Sequence, residues 1–148
     1  MPPSPHLLLL AQAAASLFMT GLIWFVQEVH YPLFAAVGRE ASAAYATAHQ
    51  ARTSWVVGPP MLLEAGCALW LALRPHPDVP RAWALWGLGL VAALWLSTAL
   101  LQVPRHRALL EGFAEGPHRA LVASNWLRTA LWSARGLLSL AMLARALR

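Results

Sequence analysis

The 148-residue chain contains no lysine, a single cysteine and only 11% charged residues. A soluble domain carries about 25% charged residues, so this scarcity argues against an ordinary water-soluble globule. The lone Cys67 excludes an internal disulfide, a CxxC redox pair and a cysteine-based zinc site, and it reads as a small buried filler. All eleven basic residues are arginine, set against six acids for a net charge of +5. They are scattered between apolar runs rather than clustered, a pattern of membrane interfaces and not of a stripe that tracks phosphates. Nucleic acid is therefore not an expected partner. The chain also has no HExxH zinc motif and no Glu-x-x-His pair of the kind that holds two irons in a helix bundle.

What is abundant is apolar: 59% of residues are hydrophobic and the mean hydropathy is +0.53. A bilayer core about 30 Å thick needs about 20 apolar residues in a helix, and four stretches qualify, at residues 7–30, 53–73, 81–103 and 118–143. The opening run has the small residues of a signal-peptide cleavage site at AQA, but no basic residue precedes it and the apolar run continues through Trp24, Phe25 and Val26. It reads as a retained helix. The second span is approached through the helix-forming stretch between Arg39 and Arg52 and contains Pro59 and Pro60, where a kink is expected. Residues 105–117 form an interfacial stretch with Leu109, Leu110 and Phe113 on one side.

Short connections make successive spans antiparallel. The expected fold is all-α: one integral membrane domain over residues 1–148, an up-down-up-down four-helix transmembrane bundle with both termini on one side. That side, A, carries Arg74, Arg81, Arg145 and Arg148; side B carries Arg39, Arg52, Arg105, Arg107 and Arg119. Four against five gives no orientation under the positive-inside rule. The bilayer is the expected environment, with a bacterial inner membrane as the expected location.

Ionisable residues inside a membrane are costly and mark function by default. At 100° per residue, His118, Asn125, Arg128, Thr129, Trp132, Arg135 and Ser139 share one arc of the fourth span. Tyr45, His49, Arg52, Thr53, Glu64 and Cys67 form a stripe on the second; Trp95, Thr98, Gln102 and His106 align on the third; Trp24, Gln27, Glu28 and Tyr31 align on the first, with His30 pointing elsewhere. The stripes converge toward side B, which predicts a polar cavity opening there. Glu64 and Arg135, both near mid-membrane, are expected to form a buried ion pair with Arg128 one to two turns above.

Within the cavity, Arg128 and Asn125 are candidate donors to an anionic or enolate oxygen, and His49, His106 and His118 are candidate bases. Gln27, Glu28, Tyr31, Arg52, Gln102 and Trp132 are candidate substrate contacts. No metal is required by this reading; the alternative is a metal or haem held by His49, His106 and His118. His6 and His76, at side A, read as solvated. Trp55, Trp70, Trp83 and Trp126 read as an interfacial belt, whereas Trp95 and Trp132 lie deeper and could wall a pocket or pack the core.

The stretch VPRHRALLEGFAEGPHRALVASNWLRTALWSARG, together with WFVQEVHYPLF, resembles the anthrone-oxygenase-like family of small four-helix membrane proteins. Most of these are known only as a domain of unknown function. The likeness is most specific at Pro104 and at Asn125 to Thr129. It implies oxidation of a lipophilic phenolic or enolisable molecule by dioxygen without a recognised cofactor, the substrate entering from side B. Two other classes fit the same composition. One is a small transporter subunit whose path is completed by oligomerisation, with Glu64 coupling to protons; the other is an accessory subunit of a larger membrane complex with an apolar docking face.

Overall fold

The computed structural model describes residues 5–148, and among these the only regular structure is helical, without strands. Four long helices account for most of the chain: α1 (Pro5–Phe25), α2 (Arg39–Leu73), α3 (Arg81–Ser97) and α4 (Glu115–Ala146). Helix α1 continues through a π-helical turn, Val26–His30, and two short turns to Ala36. Helix α3 continues through a second π-helical turn, Thr98–Gln102, into Val103–Ala108. The first span therefore does not stop at His30, nor the third at Pro104.

Both π turns precede a proline by two residues, at Pro32 and Pro104. A proline inside an α-helix lacks the N–H for the carbonyl four residues back and its ring collides with that carbonyl. Widening one turn, so that Tyr31 N–H bonds Val26 O and Val103 N–H bonds Thr98 O, lets the helix pass the ring without ending. Helix α2 is helical through Pro59 and Pro60, where the carbonyls of Trp55 and Val56 lose their ordinary donors.

Three of the four helical rods, Pro5–Ala36, Arg39–Leu73 and Arg81–Ala108, are long and apolar enough to cross a membrane. The fourth is long enough at 32 residues but is the polar one, with Arg119, Arg128, Arg135 and Arg145 along it. The outer surface is apolar to match: Trp55, Trp86, Leu73 and Leu137 are each more than 70% exposed, while Arg135 and Asn125 are fully buried. Polar-in and apolar-out suits a hydrocarbon solvent, not water.

Three apolar clusters stack along the bundle. At side A, Leu9, Leu71, Val79, Ala84, Met142 and Ala146 bring together the start of α1, the end of α2, the start of α3 and the end of α4. Met19, Ile23, Met61, Leu94 and Trp132 fill the middle. Tyr31, Phe34, Ala46, Leu109 and Leu121 close side B, so Leu109 is core rather than interfacial surface. Gly112 turns the chain ahead of α4 at φ 126°, a left-handed conformation that favours glycine.

Candidate functional site

Between the middle cluster and side B lies a cavity of about 290 Å³. One wall is apolar, formed by Met19, Leu22, Ile23, Val26, Val57 and Val103; the other presents Tyr31, His49, Gln102, His106 and Arg128, with Gln50, Ser54 and Arg107 also lining it. The size is near the lower end for small-molecule sites, and the pairing of an apolar wall with a few convergent polar groups is typical of them. Helices α1, α2 and α4 and the continuation of α3 beyond Ser97 contribute, and the two π turns supply Val26 and the pair Thr98 and Gln102.

The polar wall is a connected network. Arg128 donates from Nη1 to Asn125 Oδ1 (3.2 Å), and Asn125 in turn donates from Nδ2 to Gln27 Oε1 (3.0 Å). Gln27 donates to Val122 O at 3.4 Å. Asn125 and Gln27 thus stand behind Arg128, outside the cavity lining, and fix its guanidinium. That guanidinium also lies beside the Tyr31 hydroxyl. Arginine only donates, so beside Arg128 the phenol presents its oxygen to the cation and its O–H to His106 Nε2, 2.8 Å away. His106 Nε2 then acts as an unprotonated acceptor. The His106 backbone is held by Gln50 Nε2 donating to its carbonyl (3.0 Å).

A second pair of rings adjoins the first. His49 stacks on His106 with centroids 5.3 Å apart and lies 2.8 Å, Nδ1 to Nε2, from His30. Thr53 Oγ1 is 3.1 Å from the same His49 nitrogen. His30 therefore does not point elsewhere: a π turn adds about one residue to the turn, which rotates the residues it carries by about 100° relative to an α register. His49 also borders a shallow depression on the outer side, shared with His30, Tyr45 and Arg52.

Several expected residues stand apart. Glu28 is exposed and Arg52 lines only the outer depression. His118 is buried but directed at the Tyr31 carbonyl, 2.8 Å from its Nε2, where it positions Tyr31 rather than reaching the cavity. Among the described residues no group of three His, Cys, Asp or Glu side chains is arranged to hold a metal ion, so His49, His106 and His118 do not form a ligand set. Gln102 lines the cavity and donates to Ser124 Oγ at 3.1 Å. Trp132 packs in the middle cluster below the cavity, and Trp95 is 41% exposed on the outside, so it walls nothing. His76 is buried beside His6, at 3.4 Å, and Asp78, rather than solvated.

Further toward side A, Arg135 Nε donates to Glu64 Oε1, and Ser16 Oγ donates to the same oxygen at 3.1 Å. Arg128 takes no part, since its partners are Asn125 and Tyr31. The chain matches no protein-family model, no curated protein and no solved structure.

Proposed function

We propose that the chain is a membrane-embedded, oxidoreductase-like protein acting on a lipophilic phenolic or enolisable molecule in the side B cavity. The observation that carries this reading is that Arg128, Tyr31 and His106, with the Tyr31 hydroxyl 2.8 Å from His106 Nε2, line one cavity together with apolar side chains. An acidic C–H or O–H placed there has a base within the lining and a guanidinium for the developing oxyanion. For a methylene flanked by an aromatic ketone system, the proton goes to His49 and the enolate oxygen is held by Arg128. Dioxygen then supplies one oxygen to the new ketone, and the other leaves as water with the two hydrogens of the methylene. The resemblance to anthrone-oxygenase-like proteins supports the same chemistry. A proton taken by His49 has a hydrogen-bonded way out through His30 to the outer depression.

The architecture proposed with this function is an up-down-up-down bundle of four transmembrane helices, α2 kinked at Pro59 and Pro60. Gln50, Thr53, Ser54 and Val57 line the cavity just ahead of the prolines, so a kink there would open the site. Helical spans suit a bacterial inner membrane, since outer-membrane proteins cross as barrels. A proton-coupled transporter is less well supported, because Glu64 is held by Arg135 and Ser16 and borders none of the described cavities.

The test uses the purified protein in detergent. Solvent extraction should release a copurified aromatic molecule, and added 4-nitrophenol should bind as its anion, read by visible absorbance. Arg128→Lys should fold yet weaken that binding about 10- to 100-fold, the value of a hydrogen bond from a charged group. Unchanged affinity in Arg128→Lys would overturn the reading.

A further inference from the structure

The side A end carries a second recess, of about 620 Å³, built by the Pro77–Arg81 segment and the last residues of the chain. Three guanidinium groups border it, from Arg81 at the start of α3 and from Arg145 and Arg148 at the end of α4. The one acid in its lining is Asp78. Among the described residues, none of the three arginines forms an ion pair, although Asp78 borders the same recess. The Asp78 carboxylate is instead 3.7 Å from Nδ1 of the buried His76, whose Nδ1 also accepts from the Asp78 backbone N–H at 3.2 Å. Arg145 is braced by donating from Nε to the Asp78 carbonyl at 3.3 Å. The recess thus sets three guanidinium groups against one acidic side chain, on elements from two different helices.

Its surroundings are those of a bilayer boundary. Leu73, Trp86 and Leu147 are each more than 70% exposed at this end, and the side A apolar cluster lies directly inside. A ligand that satisfies both features carries a phosphate for the arginines and hydrocarbon for the apolar flank. Basic pockets at the ends of transmembrane helices take anionic headgroups in this way, and guanidinium forks match phosphate oxygens in pairs. We propose that this recess binds the phosphate of an anionic membrane lipid. The site is independent of the side B cavity and of any activity there.

The experiment is native mass spectrometry of the full chain in detergent with added phosphatidylglycerol or phosphatidylcholine. Phosphatidylglycerol should bind more tightly, and Arg81→Gln or Arg145→Gln should each weaken it about fivefold, the effect of one basic residue near a membrane surface. Asp78→Asn, which removes the only acid, should tighten it by a similar factor, so the proposal does not depend on loss of binding alone. The paired change Arg105→Gln/Arg107→Gln, at the other end, should leave it unaltered. Equal binding of the two lipids, or equal loss from the Arg105 and Arg107 changes, would overturn the site. Inorganic phosphate separates the sources: tight phosphate binding with no preference between lipids would assign the recess to a soluble anion and overturn the lipid.

Discussion

Arg135 is the most demanding residue in the molecule. Its guanidinium is fully buried, bound through Nε to Glu64, and packed so closely on α3 that a Cβ at Gly87 would lie 2.6 Å from Nη1. Both terminal nitrogens lack a protein acceptor among the described residues. Glycine is needed at position 87 for this approach, since any side chain would displace the guanidinium. Breaking one member of a buried pair typically costs about 3 to 5 kcal/mol, whereas replacing both by apolar groups is often neutral or stabilising. Glu64→Gln is therefore expected to lower stability by about that amount, and Glu64→Leu/Arg135→Met to restore most of it. Reversible unfolding in mixed micelles measures both. The residue types and the pairing of Glu64 with Arg135 are legible from helical phase and depth. The separation of Arg128 from that pair is not, because Tyr31 and Asn125 compete for its guanidinium from positions that only the packed bundle defines.

At the scale of elements, the helices depart from regular α geometry where proline forces them to. Pro104 reads from sequence as the end of a span, yet the helix passes it through a π turn, as it does at Pro32. The missed signal is that no glycine, asparagine or second proline stands within five residues of either proline, so nothing there marks a turn. The consequence falls on the candidate site, because the turn at Val26–His30 sets His30 against His49. At Pro59 and Pro60 two carbonyls are left without intrahelical donors. Pro59→Ala/Pro60→Ala supplies the two N–H groups and should straighten α2. Spin labels at the exposed positions Ala48 and Leu69 should then move apart in pulsed electron resonance; an unchanged distance would mean that α2 is already straight.

At the scale of the whole molecule, the side A cluster joins Leu9 to Met142 and Ala146, so the first and last helices meet at the same end. In a bilayer, epitope tags placed before Met1 and after Arg148 should be labelled by an impermeant reagent from one side only. Labelling from opposite sides would contradict the four-span topology. On the proposed topology the side B cavity and the side A recess would lie at opposite membrane faces, and a lipid held by Arg81 and Arg145 would not occlude the entrance to Arg128.

Composition and periodicity alone determine that this chain is helical, that it suits a membrane, and that its fourth helix turns a polar face inward. These follow from local rules: about 20 apolar residues per crossing, about 100° per residue, and the cost of charge in hydrocarbon. Such rules need no knowledge of neighbours. Only the tertiary structure decides which polar groups meet. It directs His118 to a backbone carbonyl, leaves Glu28 outside, buries His76, and brings His30 to His49. Each outcome depends on a change of helical register or on competition between partners from different helices, and neither is encoded in the spacing of residues along one helix.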